Sequence, residues 1–96
     1  MSLDPADLRE LQSQIADRLY IQVASWHLYL GDAGLAEELA LESNAYLDQG
    51  ANVAARQSLE SVQVQLGGGN SRLPLARLLP ASQLYDLEEI LEPYCR

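Results

Sequence analysis

The sequence predicts an α+β fold in which three to four helices pack around one antiparallel β-hairpin. Three observations support it: helical spacing of apolar residues over most of the chain, an alternation of apolar and polar residues at 61–66, and a run of glycines directly after it. The chain has 96 residues, and its 48% hydrophobic content is too high for a disordered chain despite a net charge of −8. We therefore expect residues 1–96 to form a single domain.

A long first helix is predicted from about Pro5 to Leu30. Asp4 can cap its N-terminus, Pro5 suits the first helical position, and Gly31 is a natural stop. Apolar residues then recur at spacings of three and four, which places one apolar stripe towards a core: Leu8, Leu11, Ile15 and Leu19.

The second half of this predicted helix, residues 19–30, is apolar on every side of the helical wheel. Such a helix has to be covered all round, so we expect this half to be the central element of the fold or to form part of an interface. Interfaces favour Tyr and Trp. The candidate contact residues are Ile21, Trp26, Leu28 and Tyr29.

Further helices are predicted after the turn at residues 31–34. Apolar residues mark a second helix from Leu35 to about Leu47, and a short third helix runs from Val53 to about Leu59. Ser82 can cap a final helix, whose apolar face carries Leu84, Leu87 and Leu91.

The hairpin follows the third helix, and its register is predictable. A loop of two or four residues within 67–70 places Val64 opposite Leu73 and Val62 opposite Leu75, so that both apolar sets share one face. A three-residue loop would split the faces. Pro74 has no N–H and favours the four-residue loop, in which it falls at a non-hydrogen-bonded pair.

Composition excludes several kinds of chemistry. The chain has no Lys, so it lacks a Schiff-base lysine and a P-loop lysine. Its single cysteine, Cys95, forms no internal disulfide or thiolate metal cluster. Six dispersed Arg in a chain of charge −8 disfavour nucleic-acid binding. We expect no metal, no cofactor and no catalytic residues.

The sequence also predicts a soluble protein without a membrane span. The apolar stretch at residues 19–30 is twelve residues long, whereas a spanning helix needs ~20. Asp4 and Asp7 stand where a signal peptide would be basic. A single cysteine fits a reducing compartment.

Two functions from different classes remain open. The first is a non-catalytic module for protein–protein interaction or self-association, because the apolar helix half needs a cover and catalytic groups are few. The alternative is a small ligand-binding protein or enzyme that uses His27 as a base in a pocket beside the hairpin. The residues of that alternative site are Tyr20, His27, Gly68, Gly69 and Arg72.

The ordered combination of four strings resembles a family of small cyanobacterial proteins of about this length. These strings are YIxVAxWHLYL at 20–30, LGGG at 66–69, LPL at 73–75 and LLP at 78–80. The resemblance covers most of the chain and implies a cytoplasmic cyanobacterial protein. The family is a domain of unknown function, so the resemblance implies no activity, ligand or catalytic residue.

Overall fold

A computed structural model describes residues 3–23, 26–66 and 71–95 of the chain. The helices are α1 (Pro5–Arg18), α2 (Leu30–Ala33), α3 (Ala36–Tyr46), α4 (Ala51–Ser61) and α5 (Ser82–Leu91). The strands are β1 (Tyr20–Val23), β2 (Trp26–Tyr29), β3 (Gln63–Leu66) and β4 (Ser71–Pro74). Short 3₁₀ helices lie at Leu47–Gln49, Leu75–Arg77 and Glu92–Tyr94. The α+β class is confirmed, with five α-helices in the described residues instead of three to four.

The first helix begins as predicted and ends much earlier. Asp4 accepts a hydrogen bond from the backbone N–H of Asp7 at 2.8 Å, which satisfies one of the free donors of the first turn. Leu11 and Ile15 are fully buried. The helix stops at Arg18, and Leu19 is already extended.

A second hairpin replaces the predicted second half of the first helix. β1 and β2 pair antiparallel, with Tyr20 opposite Tyr29 and Ile21 opposite Leu28. The predictions of one long central N-terminal helix and of one hairpin are therefore wrong. The segment is dense in aromatic and β-branched residues, which pack well on a pleated strand, and this preference overrides the helical spacing inherited from α1.

β1 is held in place on both of its edges. On one edge, the N–H of Leu30 donates to the carbonyl of Leu19 at 2.9 Å and extends the ladder with β2 beyond the strand ends. On the other edge, the N–H of Tyr20 donates to Oε1 of Gln83 and the N–H of Gln22 donates to the carbonyl of Leu78, each at 2.9 Å. β1 therefore lies inside the fold, and β2 is the outer strand.

The predicted hairpin of β3 and β4 has the predicted register. Val64 lies opposite Leu73, and the N–H of Leu75 donates to the carbonyl of Val62 at 2.8 Å. Because hydrogen-bonded and non-bonded pairs alternate, Pro74 falls at a non-hydrogen-bonded position, where its missing N–H costs nothing. The connection at residues 67–70 lies outside the described residues.

One hydrophobic core joins the helices and both hairpins. α3 packs against α1 and α4, and α5 packs against α4 and α1. The largest fully buried side chains are Leu11, Ile15, Leu19, Leu30, Leu39, Leu75, Leu87, Ile90, Leu91 and Val62. The described helices include none that is long and apolar enough to cross a membrane.

Candidate interaction surface

The first hairpin carries a cluster of three rings on one face. The rings of Tyr20 and His27 stack with centroids 4.8 Å apart at 28°, and Tyr20 meets Tyr29 edge to face at 5.7 Å and 68°. The register explains the cluster, because Tyr20 lies directly opposite Tyr29 and diagonally from His27. His27 and Tyr29 are exposed, and Tyr20 is half-buried.

The two strands of this hairpin differ sharply in burial. Ile21 on β1 is 5% exposed and belongs to the core, whereas Leu28, directly opposite on β2, is 40% exposed. Tyr29, the next residue on β2, is 45% exposed. Since β1 is bonded on both edges, the hairpin presents Leu28 and Tyr29 to solvent from a fixed base.

The predicted contact residues have different surroundings. Ile21 lies in the core and is not accessible in the isolated chain. Leu28 and Tyr29 are both exposed on the outer strand, and their side chains point to opposite faces of the hairpin. Trp26 pairs with Val23 in the backbone register, and its side chain lies outside the described part of the structure.

The residues of the predicted ligand site come together only in part. Tyr20 and His27 stack on the first hairpin, and Arg72 is exposed on β4, opposite Gln65. Gly68 and Gly69 fall outside the described residues. A cavity of about 320 Å³ opens between α4 and α5, and neither Tyr20 nor His27 lines it. That cavity is separate from the site around His27, which stays a prediction.

Two features of the described residues concern metal binding and thiol reactivity. Residues 3–23, 26–66 and 71–95 contain no group of three or more His, Cys, Asp or Glu side chains placed to hold a metal ion. Burial, and then the nearby charge of Glu92, raise the pKa of the Cys95 thiol. A raised pKa is the opposite of what a nucleophilic cysteine requires.

Sequence reasoning missed the residue that holds the hairpin in place. Gln83 is only 4% exposed; its Oε1 accepts from Tyr20, and its Nε2 donates to Oδ2 of Asp86 at 2.7 Å. The available signal was its position four residues before Leu87, in line with the buried face of α5. A polar residue on such a face needs hydrogen-bond partners.

The structure defines a small α+β protein with a rigidly anchored, outward-facing hairpin. The chain belongs to the family described as a protein of unknown function (DUF3181), whose model matches residues 8–94. It is also 27% identical over 96 residues to the thylakoid-associated protein slr0729 of Synechocystis sp. (strain ATCC 27184 / PCC 6803 / Kazusa), covering 98% of this chain and 95% of the relative. No solved structure matches the chain. The resemblance to a small cyanobacterial family of unknown function is thus confirmed.

Proposed function

We propose that this chain is a non-catalytic docking protein that attaches to thylakoid membranes by binding a membrane protein there. Its contact site is the outer strand β2, where the exposed side chains of Leu28 and Tyr29 project from the two opposite faces. The observation that carries the proposal is the exposure of Leu28 and Tyr29 on β2, 40% and 45%. The neighbouring strand β1 is hydrogen-bonded on both edges and holds β2 in place. A contact surface that is already ordered loses little conformational entropy on binding.

Two findings support membrane attachment: the name of the Synechocystis relative, and the lack of a membrane-spanning helix among the described residues. The Synechocystis protein is called thylakoid-associated and is similar along almost its whole length. The described helices contain no candidate span. Attachment through a surface contact accounts for both observations.

Charge indicates what kind of molecule the surface meets. With a net charge of −8, the chain is repelled by anionic lipid headgroups and by a second copy of itself. A protein with a basic surface is attracted. Cytoplasmic loops of integral membrane proteins carry an excess of Lys and Arg, so we assign the partner to this class and the chain to the cytoplasmic side of the membrane.

Co-sedimentation with membranes tests the proposal. We expect the purified chain to pellet with thylakoid membranes isolated from Synechocystis, and to remain in the supernatant after trypsin has removed the exposed protein loops. High salt should weaken binding, because it screens the attraction between opposite charges. Equal pelleting with untreated membranes, trypsin-treated membranes and vesicles of the extracted lipids would contradict a protein partner.

Sedimentation of the chain alone tests whether a second copy of the chain, instead of a membrane protein, covers β2. We expect a monomer at tens of micromolar, because each copy carries the same negative charge. A dimer that dissociates when Leu28 is replaced by Gln would show that a second copy covers β2 and would overturn the membrane partner.

A further inference from the structure

The cavity between α4 and α5 lies on elements separate from β2. Its volume is about 320 Å³, at the small end of the range for ligand sites. Buried Leu59 and Leu79 form part of its wall together with half-buried Leu84. The exposed residues Arg56, Glu60 and Tyr85 also line it, which places polar groups at the rim of an apolar cleft.

The guanidinium of Arg56 is oriented without being neutralised. Arg56 and Glu60 lie four residues apart on α4, the spacing of a helical ion pair. Instead, Nη2 of Arg56 donates to Oδ1 of Asn52 at 2.6 Å. Within residues 3–23, 26–66 and 71–95, the ion pair that does form joins Arg18 to Glu89 at 2.8 Å. The cavity rim therefore carries a cation without a carboxylate partner, held by a neutral amide.

We propose that this cavity binds a small amphipathic monocarboxylate. The apolar body of the ligand packs against Leu59, Leu79 and Leu84, and its carboxylate receives hydrogen bonds from Arg56. A guanidinium presents several N–H donors in a plane and suits a carboxylate better than any neutral head group. Glu60 also lines the cavity, and its negative charge disfavours a ligand with a second carboxylate. The cavity volume of about 320 Å³ suits a short acyl chain.

The site is independent of the proposed docking surface. None of the residues that line the cavity lies on the first hairpin. Loss of membrane binding in a β2 variant therefore leaves this proposal untouched, and failure of ligand binding leaves the docking proposal untouched.

An NMR titration of the ¹⁵N-labelled chain tests the inference with three matched probes: octanoate, octanol and octylammonium. We expect octanoate to shift amide signals of α4, α5 and the connection between β4 and α5. It should bind about tenfold more tightly than octanol, a difference of about 1.4 kcal/mol for a charge-assisted contact. Octylammonium should bind more weakly than octanoate, because Arg56 attracts a carboxylate and repels an ammonium group.

Three variants separate the head-group contact from nonspecific hydrophobic binding. Arg56→Gln should abolish the preference for octanoate over octanol, and Glu60→Gln should strengthen octanoate binding. Arg9→Gln replaces an exposed arginine on α1 and should change neither this preference nor the affinity for octanoate. Equal affinities for octanoate and octanol in the unmodified chain would overturn the proposal. So would shifts scattered over the surface, or a preference that survives in Arg56→Gln.

Discussion

The backbone N–H of Tyr20 donates a hydrogen bond of 2.9 Å to the side-chain Oε1 of Gln83, a residue distant in sequence and buried at the start of α5. The glutamine side chain thus accepts a hydrogen bond at the edge of β1 that a neighbouring strand would otherwise accept. The amide of Gln83 is fixed in turn by Asp86, to which its Nε2 donates at 2.7 Å. This arrangement gives the first hairpin an inner strand and an outer strand.

Replacing Gln83 by Met is expected to lower the free energy of unfolding by about 1–3 kcal/mol. Met fills a similar volume but leaves the N–H of Tyr20 without its acceptor in a partly buried position. Urea denaturation measures the loss, and hydrogen exchange at the amide of Tyr20 should accelerate. Gln57→Met, at an exposed position of α4, is the control and should stay within about 0.5 kcal/mol. Equal effects of the two variants would contradict the anchoring role.

The buried serine pair between α3 and α4 should respond unequally to substitution. Oγ of Ser43 donates to Oγ of Ser58 at 3.1 Å, and Oγ of Ser58 donates to the carbonyl of Ala55 at 3.1 Å. Ser58→Ala removes the acceptor of Ser43 and should cost about 1–3 kcal/mol, whereas Ser43→Ala leaves Ser58 bonded and should cost about 1 kcal/mol or less. Chemical denaturation compares the two. The reverse order would show that the donor and acceptor roles are exchanged.

A glycine allows α2 to lie against α1. A Cβ added to Gly31 would fall 2.9 Å from Cβ and 3.2 Å from the carbonyl oxygen of Ala16. Gly31→Ala should therefore cost about 1–3 kcal/mol through overpacking. Ala16→Gly alone should cost about 1 kcal/mol in helix propensity. Thermal and urea unfolding should show that the double variant loses less than the sum of the two single losses, and strict additivity would argue against the clash.

Tyr94 makes stability sensitive to alkaline pH. Its hydroxyl donates to Oε1 of Glu10 at 2.5 Å and accepts from Nε2 of Gln14 at 3.1 Å. Burial, and then the contact with Glu10, raise the pKa of Tyr94 from 10.0 to about 12. Because the folded-state pKa is the higher one, this contribution is complete below the unfolded pKa and is lost as the pH rises through the folded pKa.

The variant Tyr94→Phe tests this contact. It should lower the free energy of unfolding by about 0.5–1.5 kcal/mol at neutral pH, the usual net value of one hydrogen bond. It should also flatten the decline in stability that is expected for the unmodified chain between pH 10 and 12. Tyr85→Phe, at a side chain that is 70% exposed, is the control and should keep the decline. An unchanged decline in Tyr94→Phe would place its cause elsewhere.

Local patterns predicted much of the fold. The Asp4 cap, the helices after residue 35 and the pairing of Val64 with Leu73 all depend on short-range spacing and turn geometry, and the structure confirms them. The predicted cap at Ser82 is wrong, because Ser82 is the first residue of α5 and its side chain makes no cap hydrogen bond. The boundary at Arg18 was not predictable in the same way. A helical stripe continues through Leu19, and the chain leaves the helix because the following residues find strand partners.

The candidate surface was predicted in part and for a different reason. Leu28 and Tyr29 were proposed as contacts because a helix apolar on every side cannot be left uncovered. They are exposed because β1 takes the inner position of a hairpin and β2 the outer one. The inner position of β1 depends on its hydrogen bonds to Gln83 and Leu78, which are far away in the sequence. Long-range hydrogen bonds of this kind leave little trace in local periodicity.

The most direct measurement of the central claim is the affinity for Synechocystis thylakoid membranes of two leucine variants that differ only in location. Leu28 on β2 is 40% exposed and Leu41 on α3 is 49% exposed, so replacing either by Gln removes similar apolar surface from a folded chain. We predict that Leu28→Gln weakens binding about tenfold, as expected for a central contact residue, and that Leu41→Gln binds like the unmodified chain. Binding that is unchanged in Leu28→Gln, or weakened equally in both variants, would contradict docking through the first hairpin.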